Sequence, residues 1–118
     1  MAATTDLARY KLTFHVPPSA VEACKTAIFA AGAGRYPDRK TGNFNYTECC
    51  WTTSGTGQFR PGDAANPHIG KVGVLEKLEE LRVETLCVGE DVARAAVAAL
   101  KTHPYEEPSY SVFKLEDF

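Results

Sequence analysis

With 118 residues, 44% of them hydrophobic and 24% charged, the chain has the make-up of one folded domain and too little length for a separate catalytic domain. Thirteen basic against fifteen acidic side chains leave a formal charge of -2; this offers no general attraction to phosphate backbones or anionic lipids, so nucleic acid is not an expected partner. The longest apolar run, residues 95–100, falls far short of a membrane span, and residues 1–6 lack a basic start and an apolar stretch, so the expectation is a cytoplasmic single domain with its core over 9–116 and a tail at 1–8.

Tyr10, Leu12, Phe14 and Val16 alternate with Lys11, Thr13 and His15, the period of a strand with one face in a core. Pro17 and Pro18 stop it, and Ser19 with Glu22 three residues later has the form of a capping box opening a helix. Val21, Cys24, Ala27, Ile28 and Ala31 share one face of that helix, and Gly32 is placed to close it in a left-handed conformation. Residues 34–42 are turn-rich, and 44–53 read as one aromatic and β-branched strand with both faces partly covered. Residues 54–70 show no period and many turn formers, which predicts a long loop and the first place to look for a site.

Two signals conflict over residues 75–81. Propensity favours helix, but Leu81, Val83, Thr85 and Cys87 alternate cleanly, and Gly70 and Gly73 with no cap argue against a helix start; a strand over 72–88 is preferred. Gly89, Glu90 and Asp91 head a helix over 92–102, where acid suits the helix dipole and Val92, Ala96, Ala99 and Leu100 face inward. Pro104 ends it, and Tyr110, Val112 and Lys114 alternate in a last strand. The order β-α-β-β-α-β predicts an α+β ferredoxin-like sandwich, with two helices on one face of a four-stranded antiparallel sheet. Trp51 and Cys49 on one parity, and Phe44, Tyr46 and Cys50 on the other, would leave apolar surface on a bare sheet. A homo-oligomer, with a trimer favoured, would cover it.

Four cysteines make no disulfide framework. Cys49 and Cys50 are neighbours, Cys24 and Cys87 fall in a predicted helix and strand, and no pair has C-x-x-C spacing. They read as reduced, buried small side chains, with Cys49 and Cys50 as a secondary metal or redox option.

Several motifs carry a resemblance. They are Tyr46-x-x-Cys49-x-Trp51-x-x-x-Gly55-x-Gly57-x-Phe59-Arg60-Pro61, then Ala65-Asn66-Pro67-His68-Ile69-Gly70, and later His103-Pro104-Tyr105-Glu106-Glu107-Pro108. With Tyr10-Lys11-Leu12 and Ala30-Ala31-Gly32-Ala33-Gly34, they resemble the insert domain of the YqfO-like, NGG-interacting-factor family over residues 10–115. The resemblance implies a fold similar to the CutA and PII trimers. Family members carry a separate di-metal domain with His and Glu motifs flanking the insert. Nothing in this sequence resembles those motifs, so hydrolase-like or cyclohydrolase-like activity is not expected to carry over. Two departures stand out: Ser109 where CutA proteins show an acid, and His68 where the family more often shows an aromatic residue.

Two groups of residues carry candidate chemistry. His103, Glu106 and Glu107 lie within one turn and can hold a divalent metal, Zn, Mn or Cu, with a further ligand from His15 or His68. The competing reading has His103 complementing a helix C-terminus, Tyr105 packing and the two prolines fixing the turn. Gly55, Gly57 and Arg60, with Asn66 and Tyr105, can receive a small anionic ligand through backbone amides and a guanidinium. The competing reading there is a twisted hairpin in which Arg60 pairs with an acid. The stretch is no P-loop, and no Cys or Ser is matched with a His and an acid as a nucleophile. The expectation is a homo-oligomeric small-ligand or divalent-metal binding module rather than an enzyme. Its alternatives are a protein–protein interaction and assembly domain or a small metal-dependent hydrolase.

Overall fold

A computed structural model describes residues 7–104 and 108–118. In chain order the elements are β1 (Arg9–Val16), α1 (Val21–Ala30), a small hairpin of β2 (Tyr36–Pro37) and β3 (Phe44–Tyr46), β4 (Trp51–Phe59), β5 (Glu76–Val88), α2 (Glu90–Ala99) and β6 (Tyr110–Leu115). Four strands form one antiparallel sheet in the order β4-β5-β1-β6, and β2 and β3 form a separate two-stranded sheet. The architecture is the expected α+β, ferredoxin-like one, with the small hairpin inserted.

Alternation in β1 does what it predicts: Leu12, Phe14 and Val16 have no exposed surface. Directly across on β5 stand Thr85, Val83 and Leu81, which share that face. Cys24 and Ile28 of α1, Ala93 and Ala96 of α2, and Leu100 just beyond pack onto it as one cluster. Each large apolar side chain sealed there contributes roughly 1.5–3 kcal/mol.

The first helix starts differently from the capping-box reading. Pro18–Ala20 form a 3-10 turn closed by the Ala20 amide donating to the Pro17 carbonyl at 3.0 Å, and α1 begins after Ala20 with no side-chain cap. Ser19 is taken into that turn, one step too early to cap. The far end is as expected. Gly32 has φ +109, its amide donates to the Phe29 carbonyl, and the Ala33 amide donates to Ile28, the paired bonds of a Schellman motif.

The predicted strand over 44–53 is two strands in two sheets. Glu48 has φ +55, a conformation most side chains resist, and the chain turns there. The Cys49 carbonyl then accepts from the Thr85 hydroxyl at 2.8 Å, which anchors the start of β4. The predicted loop over 54–70 is also corrected, because residues 54–59 continue β4. Opposite them, residues 76–80 of β5 have no β1 partner, so the two strands project as a two-stranded arm. The preferred strand over 72–88 holds as a strand but starts at Glu76. The arm contributes to an elongated molecule of 54 × 25 × 23 Å. At its tip residues 60–75 form the true loop, closed by the Gly73 amide on the Pro61 carbonyl at 2.8 Å.

The second face of the sheet lies away from the helices. Trp51 is directly opposite Glu84, Phe113 opposite Lys11 and Leu115 opposite Arg9, all on that face. Trp51 is 67% exposed and Phe113 54%. Among the described residues no helix is long and apolar enough to cross a membrane.

Candidate functional site

The end of the sheet where β1 finishes brings Gly55 and Gly57 near His15, with His103 bonded behind His15. The His15 amide donates to the Ser109 carbonyl at 3.1 Å, which brings the approach to β6 alongside the end of β1. Glu80 stands opposite Gly55 at the root of the arm. A cleft of about 490 Å³ opens there, lined by His15, Gly55, Gly57, Glu80, Arg82 and Ser109 among others. Gly57 has a structural task in this cleft. A Cβ on it would fall on the Glu80 carboxylate, so the missing side chain lets Glu80 lie across the arm. At Gly55 an added Cβ would meet open space.

His103 is bonded to the backbone of His15, one of the residues lining the cleft, and is not itself among them. It is buried, and its ring Nε2 lies 2.5 Å from the carbonyl oxygen of His15. A carbonyl oxygen only accepts, so Nε2 carries the proton and donates. Burial pushes the imidazole below its ordinary proton affinity; the His15 carbonyl and the charge of Glu80 oppose this, and His68 adds to it. The neutral ring is therefore the form the fold favours.

The predicted candidates divide accordingly. Tyr105, Glu106 and Glu107 lie outside the described residues. Gly55 and Gly57 line the cleft, but from strand β4 rather than from the turn that was expected. Arg60 and Asn66 stand in the tip loop and are not among the residues lining the cleft. Among the described residues no three His, Cys, Asp or Glu side chains come together as a metal set. None of the four cysteines is in a disulfide; Cys24 and Cys87 are buried, and Cys49 and Cys50 are half-buried. Sequence reasoning missed Glu80 and Arg82 as cleft residues. Their alternation with the partly buried Leu81 and the buried Val83 marked them as a solvent face, and only the arm's register shows what they face.

No protein-family model matches the chain. It is 39% identical over 115 residues to the GTP cyclohydrolase 1 type 2 homolog of Halalkalibacterium halodurans, covering 98% of this chain and 29% of that protein. The solved Bacillus cereus protein related to NIF3 superposes with a TM-score of 0.74 at 31% identity, over 94% of this chain and 26% of that one. Two smaller proteins share the fold at low identity. The divalent ion tolerance protein CutA1 of Ehrlichia chaffeensis matches with a TM-score of 0.59 at 11% identity, over 96% and 86% of the two chains. Bacillus subtilis GlnK matches with a TM-score of 0.52 at 16% identity, over 92% and 85%. The chain spans less than a third of the length of its cyclohydrolase-homologue and NIF3-related relatives. The chain is a relative of one domain of the YqfO-like, NIF3-related proteins, and it has the CutA and PII-like fold.

Proposed function

We propose that the protein is a homo-oligomeric module, a trimer, that buries the open sheet face between copies and binds a divalent metal ion or a small anion at the seams. The observation that carries this reading is the exposure of Trp51 and Phe113 together on the face away from the helices. Large aromatic groups on one sheet face are what a partner covers. The same face holds charges of both signs, with Glu84 paired to Arg82 and, at 4.0 Å, to Lys11, so a copy laid against it can meet opposite charge. The ligand's place in this reading is the end of the sheet beside His103, with residues 104–108 and the tip loop around Arg60 brought in from neighbouring copies. The relatives' cyclohydrolase name describes proteins more than three times as long and is not the reading preferred for this domain.

Sedimentation equilibrium with calorimetric titration tests both halves. ZnCl2 and MnCl2 are the cationic probes, since CutA1 of this fold is named for divalent ion tolerance, and ATP is the anionic one, since GlnK has been solved as an ATP complex. A trimer that binds one of the probes, with binding reduced in His103→Ala or Arg60→Ala, is the expected outcome. A monomer at all concentrations, with no heat from any probe, overturns the reading.

A further inference from the structure

A second cleft, of about 800 Å³, opens between α1 and the small hairpin. Its α1 wall places it on the side of the sheet that carries the helices, so it stands clear of the open face, and it shares no lining residue with the cleft beside His15. Lys25 and Phe29 of α1 form one side, with Arg35, Phe44, Thr47 and Glu48 across from them.

Two backbone contacts build that second side. The Cys49 amide donates to the Gly34 carbonyl at 2.9 Å, and Tyr36 pairs with Tyr46. Between these contacts a single residue, Arg35, faces two, Thr47 and Glu48, which is the count of a β-bulge. Glu48 takes the left-handed conformation there, with φ +55, the one non-glycine to do so among the described residues. Glycine suits that position, and glutamate holds it only under strain. Strained residues persist where the surrounding structure imposes them, and they cluster at ligand sites.

The charges on the walls are unevenly used. Lys25 already pairs with Glu22 at 3.4 Å. Arg35 lays its guanidinium over the Phe44 ring, 5.3 Å from the centroid. Among the described residues neither Arg35 nor Glu48 takes part in an ion pair. A guanidinium stacked by its face keeps its edge N–H groups for a carboxylate. One cation and one anion, both unspent, therefore stand in a cleft that also holds Phe29 and Phe44.

From these observations we infer that the cleft binds a small zwitterion with an apolar body, the chemistry of a free α-amino acid with a large apolar side chain. Its carboxylate pairs with Arg35, its ammonium with Glu48, and its side chain lies against Phe29 and Phe44. A simple acid would meet Glu48 as a like charge and a simple amine would meet Arg35, so the two wall charges together select against either half of the ligand. All the lining residues belong to one chain, so binding here does not depend on assembly.

Calorimetric titration at fixed protein concentration tests this with L-phenylalanine and L-leucine. The controls are 3-phenylpropionate, which lacks the ammonium, and phenethylamine, which lacks the carboxylate. Saturable binding of at least one amino acid is expected, with each control weaker by about tenfold or more. Arg35→Met and Glu48→Gly should each weaken amino-acid binding by about tenfold or more, by removing one of the two charges. Arg94→Gln, on the exposed side of α2, should leave it unchanged. Glu48→Gly also separates binding from folding. Glycine adopts φ +55 without strain, so this variant should unfold at the wild-type urea midpoint or above it while binding is lost. No saturation by either amino acid, a control that binds as tightly as L-phenylalanine, wild-type affinity in Glu48→Gly, or a lowered urea midpoint in that variant would each overturn the inference.

Discussion

The Nε2–H of His103 donates to the carbonyl oxygen of His15 at 2.5 Å and so ties the turn after α2 to the end of β1. The bond joins two segments far apart in sequence, and the buried ring seals the edge of the core beside Leu100. Replacing His103 by Ala leaves that carbonyl to find another donor and opens space around it. The expected loss is about 1–3 kcal/mol in urea unfolding at pH 7.5.

The same residue gives a pH dependence of defined sign. Burial lowers the proton affinity of His103 in the folded protein below that of the unfolded chain, whose ordinary value is 6.5. The unfolded state therefore binds more protons in the interval below 6.5, and stability there rises with pH. His103's contribution is complete above that value and is lost as pH falls towards the folded-state value. Glu80 works against this trend, and His68 works with it. Urea midpoints of wild type and His103→Gln should converge as pH drops from 7.5 to 5. A constant gap across that range would show that His103 does not titrate differently in the two states.

If copies meet through the open face, Trp51 emission shifts to the blue as protein concentration rises, since a ring 67% exposed in one chain becomes covered. Phe113→Glu puts a carboxylate at the same surface and should give a monomer by sedimentation, with the far-ultraviolet spectrum of the fold retained. A concentration-independent emission maximum in a trimer would place the interface elsewhere.

How legible the molecule was in its sequence depends on what each segment is packed against. Leu12, Phe14 and Val16 announce their strand because one side is sealed and the other is not. The arm announces nothing. Residues 54–59 and 76–80 pair only with each other and none of them is fully buried, so no sealed face writes a hydrophobic period into them, and the glycines that read as a turn are strand residues. Glu48 broke the apparent strand over 44–53 by a backbone conformation that its residue type does not advertise. At the candidate site, the sequence marked His103 as chemically able but could not show that its Nε2 is spent on a backbone carbonyl. Nor could alternation tell Arg9, whose Nε and Nη2 have no hydrogen-bond partner among the described residues, from Lys11 beside Glu84.

Two glycines in the left-handed region should separate backbone conformation from crowding. Gly34 has φ +79, and a Cβ there would come within 2.8 Å of both the amide nitrogen and the carbonyl oxygen of Cys49. Its own amide donates to the Leu86 carbonyl at 2.7 Å, and its carbonyl accepts from Cys49 at 2.9 Å, so neither neighbour can retreat without breaking a bond. Gly42 has φ +77 with nothing near its missing Cβ. Gly42→Ala should cost about 1–2 kcal/mol, the strain of the conformation alone. Gly34→Ala should cost about 1–3 kcal/mol more, for the clash. Equal losses in chemical denaturation would contradict the close crossing of residues 34 and 49.

Thiol reactivity should divide the four cysteines in two. Burial pushes the Cys87 thiol up to about 11, against an ordinary value of 9.0, so its thiolate is about a hundredfold scarcer at neutral pH. Cys87 and Cys24 are also fully sealed, which withholds them from any reagent until the fold opens. Cys49 and Cys50 are half-buried and line the cleft beside Trp51. Maleimide at pH 7.5 should modify the native protein only at these two, and all four cysteines once urea has unfolded it, as read by intact mass and peptide mapping. Cys49 donates to the Thr47 carbonyl at 3.5 Å, a weak bond that does not hide the sulfur. Native-state labelling of Cys87 as fast as that of Cys49 would mean that β5 opens locally on the labelling timescale, which its central place between β4 and β1 argues against.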